Sequence, residues 1–376
     1  MFTLREKEKV TSPKGIVVLV VQCVYCSTCM NLNCLLPRCL VMAFSFNFSI
    51  PLQTKANCGD DSRADNEKDE NVDAAKNQSK LEPSESVCKA LKEAVEHQPT
   101  LDILSQTESS VTETVSIGTL PSLHYLNESV FEQTAPERDD GEHILLQTVT
   151  QNTDLITGVY EGGLKIWECT YDLLEYIDDE GETFSRKRVL DLGCGAGLLG
   201  ILALKRGASK VHFQDYNSTV IEQLTIPNVF LNCEEDSEDE GEGKKDGSPP
   251  AKKRTLDSSH HSLSDHCSFF SGDWTSYLSL MQRKDPMLKY DIIFTSETIY
   301  NTDYYPSLHN VFHKLLEEDG VVYLATKSHY FGVGGGLYLF QRFVEDKDVF
   351  QIKSLKDIDQ GLKRHIVSLT FKKSRL

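Results

Sequence analysis

The chain is poor in positive charge: 39 Lys and Arg stand against 57 Asp and Glu, for a formal net charge of −18 over 376 residues. That balance argues against a general nucleic-acid binder, whose phosphate contacts need clustered basic side chains. It suits a basic protein partner. Long apolar runs are also missing. Ile16–Val21 follows a basic start and superficially suggests a leader, but Gln22, Asn31, Asn33 and Arg38 break the region before it could span a bilayer. Phe, Trp and Tyr are absent from residues 51–120. Cysteine shows no paired secretory pattern: of eleven, five fall between Cys23 and Cys39 with no histidine among them, so neither a disulfide framework nor a zinc site is expected. A reducing compartment fits best, since Cys194 sits inside a glycine-rich turn where a disulfide would be out of place.

What the chain does have is Arg188-Val189-Leu190-Asp191-Leu192-Gly193-Cys194-Gly195-Ala196-Gly197, followed by the apolar run Leu198–Leu204. This reads as a buried strand, a tight turn and a helix start, the opening of a βαβ nucleotide-binding unit. Gly195, Gly197 and Gly200 satisfy G-x-G-x-x-G, which alone leaves a dinucleotide in play. Asp191 discriminates. A carboxylate at the strand tip repels a pyrophosphate but attracts a cofactor bearing an ammonium and a sulfonium. The pattern D-x-G-x-G-x-G therefore resembles motif I of seven-strand methyltransferases that use S-adenosylmethionine. The next strand ends at Asp215, about twenty residues on, where an acid can accept hydrogen bonds from ribose hydroxyls. Gln214 and Tyr216 flank it, and Tyr216 is placed to pack on the adenosine.

Composition divides the chain into three. Residues 1–41 read as a doubtful N-terminal extension, with Met42 a plausible alternative start. Residues 42–140 are expected to be largely disordered, being too polar to offset chain entropy, with a transient helix at Ala90–Val95 and order beginning between residues 110 and 145. Residues 141–376 read as the folded domain, interrupted by a disordered insertion at 233–265. The basic cluster within 249–254 is either a nuclear localisation signal or a solubilising loop. Ile144–Val149 has strand character, and further strands are expected at Ser268–Ser271, Tyr290–Thr295, Gly320–Thr326, Phe350–Leu355 and His365–Phe371, with helices at Tyr304–Leu316 and Leu337–Val344. The expected class is α/β: a Rossmann-like seven-strand sheet, mostly parallel, closed by a C-terminal antiparallel strand. Ligands of such sheets bind at the carboxyl ends of the strands.

Candidate site residues cluster at those ends. Gly272-Asp273-Trp274 offers an acid and a ring suited to adenine. Ser296-Glu297-Thr298-Ile299-Tyr300-Asn301 stands where the methyl must meet its acceptor. The N-P-P-Y of amide and adenine methyltransferases is missing there, and Glu297-x-x-Tyr300 instead resembles the D-x-x-Y of protein methyltransferases. Upstream, the glycine-rich run to Trp167 can cap the methionine end of the cofactor. Lys327–Gly336 holds a triple glycine with no G-K-[ST] after it, so it reads as a gate or wall of the acceptor pocket rather than a phosphate cradle, with His329 either structural or in contact with substrate.

Taken together, Asp154–Cys169, D-L-G-C-G-A-G, F-Q-D-Y-N, T-S-E-T-I-Y-N and S-H-Y-F-G-V-G-G-G resemble the protein-histidine N-methyltransferase family over about residues 150–372. The resemblance implies S-adenosylmethionine as cofactor, held by Lys165, Ile166, Trp167, Glu168, Cys169, Gly193, Gln214, Asp215, Tyr216, Gly272, Asp273, Trp274 and Ser296, with Asp191 added from the motif reading. It implies a histidine acceptor on the third large-subunit ribosomal protein and a place in cytosol and nucleus, the nucleolus included. A neutral imidazole, with a pKa near ~6.5, attacks without prior deprotonation, so alignment should supply most of the rate. Glu297 and Tyr300 are the candidates to hold its other nitrogen. Chaperones are conceivable further partners; a monomer is expected, with no metal and no direct nucleic-acid or membrane contact. A lysine methyltransferase and a non-catalytic cofactor-binding assembly factor stay open as alternatives.

Overall fold

Apolar strand segments bounded by glycine or polar turns alternate with helices, and in a computed structural model they assemble into one mixed eight-stranded sheet. The structure describes residues 91–100, 103, 111–127, 141–151, 153–235 and 266–373. Its strands are β1 (Val95–His97), β2 (Thr112–Val115), β3 (Leu123–Leu126), β4 (Arg188–Leu192), β5 (Lys210–Asp215), β6 (Cys267–Ser271), β7 (Tyr290–Ser296), β8 (Leu316–Lys327), β9 (Phe350–Ile358) and β10 (Arg364–Phe371). The helices are α1 (Ile144–Gln151), α2 (Glu168–Asp179), α3 (Leu198–Lys205), α4 (Ser218–Val220), α5 (Ile226–Glu235), α6 (Trp274–Gln282), α7 (Tyr305–Leu315) and α8 (Leu337–Lys347). A π-helical turn, Ile221–Thr225, joins α4 to α5.

The sheet order is β1-β6-β5-β4-β7-β8-β10-β9. From β4 the chain steps outward through β5 and β6, then returns to β7 and β8 on the other side, all parallel. The reversal between β4 and β7 is the topological switch point, the crevice where a doubly wound sheet binds its ligand. The long strand β10 slots antiparallel between β8 and β9. Both faces of the sheet are covered, which is why β4 has no polar alternation beyond Asp191: Val189 packs into one apolar cluster with Leu173, Leu199 and Phe213, and Leu190 into the other with Tyr277 and Leu308.

The expected class holds, with corrections in the detail. An eighth strand, β1, pairs antiparallel with β6 at the sheet edge, so order begins ahead of the 110–145 window and within the 42–140 region expected to be disordered. It is short and reads Val-Glu-His, with no period to reveal it; its His97 is held by Glu222 Oε1 at 2.9 Å and Ser271 Oγ at 2.8 Å. Of the transient helix expected at Ala90–Val95, residues 91–94 are an irregular lead and Val95 opens the strand, while Ala90 lies outside the described residues. Ile144–Val149 is helix, not strand: Ile144 and Leu145 are buried while Leu146 is exposed, a one-sided burial that suits a helix lying on the core. β2 and β3 form a separate hairpin, again inside the 42–140 region, tied down by Asn228 Oδ1 accepting from Leu126 N at 2.8 Å. Cys233, placed in the inserted tract, belongs to α5. Residues 1–41 and the basic cluster at 249–254 lie outside the described residues.

Candidate active site

The β4–α3 turn is built so that bare backbone faces the crevice. Gly193, Gly195 and Gly197 all have positive φ, at 69°, 50° and 77°. A Cβ on Gly193 would stand 2.7 Å from Thr298 Cγ2, and one on Gly195 3.0 Å from the Gly163 carbonyl oxygen, so side chains are excluded by space as well as by conformation. Gly195 N donates to Asp215 Oδ2 at 2.9 Å, and Thr225 Oγ1, presented by the π-turn, donates to Gly195 O at 2.7 Å.

This loop opens onto a cleft of about 880 Å³, part of it open to solvent. Lys165, Ile166, Trp167, Gly193, Asp215, Tyr216, Gly272, Asp273, Trp274, Ser296, Glu297 and Tyr300 all line it, as the sequence predicts. Four nominated residues do not. Asp191 is buried behind the turn, where its Oδ2 accepts from Gly200 N at 2.9 Å; it braces the α3 start instead of facing a ligand. Gln214 is also fully buried, its amide donating to Asp215 O and Gly272 O and accepting from Trp274 Nε1 at 3.0 Å, so it sets the indole rather than the cofactor. Glu168 and Cys169 begin α2 behind Trp167, with Cys169 in the core. His329 lies outside the cleft, its ring edge-on to Phe331 at 5.0 Å.

Asp273 proves to be the N-cap of α6, Oδ1 accepting from Thr275 N and Ser276 N at 2.9 and 3.0 Å. Part of its capacity toward an adenine amino group is therefore already taken. Asp215 accepts from Gly195 N and Tyr216 N; burial nevertheless pushes its carboxyl up to about 6, and burial pushes Asp191 to about 8.

Sequence reasoning missed Glu161, Gly163, Thr170, Thr298 and Tyr304. Glu161 is the most consequential of these. Tyr300 Oη donates to its Oε2, and Tyr304 Oη to its Oε1 at 2.8 Å. Burial first, and Glu161 next, hold both phenols protonated, hence as donors. No sequence signal pointed to Glu161, because Tyr300 lies ahead of the Thr302–Tyr304 helical turn and the two phenols meet the acid only in the fold. Glu297 follows β7 at φ 59°, a conformation that strains a non-glycine residue and recurs at functional sites. Its side chain is buried, yet neither carboxylate oxygen has a hydrogen-bond partner of ordinary geometry among the described residues.

The cleft's charges decide between cofactors. Among the described residues, Glu161, Asp215, Asp273 and Glu297 line it against one base, Lys165, which is itself 3.4 Å from Asp154 Oδ1. A dinucleotide pyrophosphate would meet acid; a sulfonium and an ammonium would meet opposite charge. Trp274 and Tyr216 at the β5–β6 ends supply faces for an adenosine, and the bare glycine turn admits close approach. Fold and site together define a methyltransferase that uses S-adenosylmethionine.

A methyltransferase domain family matches residues 169–364. Over 306 residues the chain is 47% identical to a histidine protein methyltransferase 1 homolog of Bos taurus, covering 81% of this chain and 79% of that one. The Mus musculus homolog is 46% identical over 74% of this chain and 78% of its own length, and histidine protein methyltransferase 1 of Saccharomyces cerevisiae 28% identical over 59% and 67%. Among solved structures, magnesium protoporphyrin IX methyltransferase from Synechocystis with bound SAM aligns at 14% identity and a TM-score of 0.35, covering 54% of this chain and 78% of that one. The chain belongs to the histidine protein methyltransferase 1 family.

Proposed function

We propose that this protein is a protein-histidine N-methyltransferase whose acceptor is a histidine of the third large-subunit ribosomal protein. The observation that carries the chemistry is Glu297: a buried carboxylate paired with Lys327 Nζ at 3.3 Å but with no hydrogen bond of ordinary geometry among the described residues, at the end of β7 on the wall of the cofactor cleft. Family membership supports the histidine acceptor. The net charge of −18 supports a basic protein as its carrier.

Bound S-adenosylmethionine supplies an electrophilic methyl group on sulfur. Trp274, Tyr216 and the glycine turn hold the adenosine end, while Lys165 and the backbone before Trp167 border the opposite end. Glu297 accepts the N–H of the incoming ring, which leaves the other nitrogen's lone pair, the tele one, aimed at the cofactor. One N–C bond forms as one C–S bond breaks, its electron pair staying on sulfur. The positive charge that passes to the ring is met by Glu297, which holds the remaining N–H until that proton leaves. Tyr300 acts one step back, fixing Glu161 beside the same opening. No general base is needed before attack, because an imidazole near its usual pKa of ~6.5 is mostly neutral at pH 7.

Such a modification would tune ribosome assembly or translation elongation, with the enzyme present in cytoplasm, nucleus and nucleolus and chaperones as further contacts. The test is incubation with methyl-labelled cofactor and extracted ribosomal proteins, then amino-acid analysis of the labelled product. Label in tele-methylhistidine of the third large-subunit protein is the expected result. Label in methyllysine would replace the reading with the lysine alternative, and no turnover would leave a cofactor-binding assembly factor.

A further inference from the structure

Beside the cofactor cleft lies a smaller cavity of about 390 Å³, and the two share Glu161, Gly162, Trp167, Glu297 and Tyr300 as a common wall. Lys327, Tyr330 and Val333 belong to the smaller one alone. Resting on the histidine reading above, we propose that this cavity seats the acceptor imidazole and that Lys327 is the positioning residue that selects which ring nitrogen is methylated.

Lys327 ends β8, a strand buried along its second half, and its side chain is only 4% exposed. An ammonium is rarely enclosed in this way without a specific task. Its Nζ lies 3.3 Å from Glu297 Oε1 and 3.6 Å from Glu168 Oε2, so it draws the Glu297 carboxylate toward the smaller cavity while a second acid balances it from α2. The same ammonium stands 5.2 Å from the centroid of the Trp167 ring, and Trp167 is pinned from its far edge by Nε1 donating to Gly162 O at 3.0 Å. One cation thus fixes both the acid and the aromatic face of the shared wall. Tyr330 lines the cavity beside this pair, its ring 6.3 Å from that of Tyr300 and 5.9 Å from Lys327 Nζ, its hydroxyl 3.1 Å from Thr326 Oγ1.

The seat is lined by the rings of Trp167, Tyr300 and Tyr330 and by three carboxylates, of which Glu161 is taken by Tyr300 and Tyr304 and Asp154 faces Lys165 at 3.4 Å, leaving Glu297 to meet the N–H of a neutral azole. Glu297 can accept that N–H only if its oxygen is held at the edge of the seat. With Lys327 removed, the carboxylate is free to swing toward the cleft and either ring nitrogen can face the cofactor.

The experiment compares Lys327→Met and Lys327→Arg with the parent, on the ribosomal protein substrate, reading kcat, KM, S-adenosylhomocysteine affinity and the ratio of the two N-methylhistidine isomers. Lys327→Met should bind S-adenosylhomocysteine as the parent does, lose about a hundredfold in kcat through misplacement of the ring, and give both isomers. Lys327→Arg should restore a single isomer. A Lys327→Met enzyme with parental kcat and one isomer would overturn the proposal. Should that variant fail to fold, Val333→Trp fills the smaller cavity from a surface loop without touching the cofactor cleft. It should raise acceptor KM by about tenfold or more with unchanged S-adenosylhomocysteine affinity; an unchanged KM would sink the proposed seat. If the parent itself makes no methylhistidine, the function reading fails instead, which keeps the two failures apart.

Discussion

The two ends of the crevice are made of different material. At the β4–β5–β6 end, ligand-facing chemistry is mostly backbone: positive-φ glycines, a capped helix, amides donating into Asp215. At the β7–β8 end it is side chain: Glu297, Lys327, Glu161 and a group of tyrosines, gathered from segments more than a hundred residues apart. Backbone sites tolerate almost no substitution but impose no choice of acceptor. Side-chain sites can be retuned, and selectivity resides there.

Substitutions can break this division of labour, beginning where the largest loss is expected. Gly193→Val combines a strained φ with a Cβ at 2.7 Å from Thr298, and S-adenosylhomocysteine affinity measured by calorimetry should fall by about a hundredfold or more. Unchanged affinity would mean the turn does not carry the cofactor. Glu297→Gln should do the reverse, lowering kcat by about a hundredfold while the affinity for S-adenosylhomocysteine, which carries no sulfonium, falls far less than in Gly193→Val. If affinity collapses as well, the two ends are one site. Tyr300→Phe leaves Glu161 with Tyr304 as its remaining tyrosine donor, and a rise of about tenfold in acceptor KM is expected in steady-state kinetics.

The next test concerns pH and the cofactor end alone. Asp191 is raised by burial from 3.8 to about 8, so the folded chain keeps a proton that the unfolded chain has released. From this group, stability falls as pH rises between about 4 and about 8 and is level beyond. Asp191→Asn should flatten that part of the thermal-stability profile; an identical slope would show that the group is not a buried titrating acid. The smallest effect is expected at Lys92, whose Nζ pairs with Glu142 and lies 4.5 Å from the centroid of the Tyr216 ring. Lys92→Met should weaken S-adenosylhomocysteine binding by no more than about threefold, since a partly exposed pair contributes little.

Legibility followed the same division. The glycine turn, the acid ending β5 and the alternation of strands with helices were readable because they depend on local spacing: period, punctuation by glycine and a fixed interval to the next acid. Trp274 and Tyr216 could be nominated for the same reason. Asp191 could be found but not interpreted, because its sequence position says it ends a buried strand and only the fold shows that Gly200 N consumes its oxygen. Gln214 misled in the same way, being a support for Trp274. At the other end, Glu161 gave no periodic signal and acquires its role from two tyrosines some 140 residues away in sequence. β1 escaped because a three-residue edge strand is specified by its partner, not by its own pattern.

What the sequence determined by itself was the α/β class, the nucleotide-type turn and the strand ends on which the cleft is built. Tertiary structure decided the sign of the cleft, through four carboxylates from four separate segments, and it joined Glu297 to Lys327 across neighbouring strands. The reason is physical: a turn is a local conformational preference encoded over a few residues, whereas an electrostatic environment is a sum over everything that folding brings within a few ångströms.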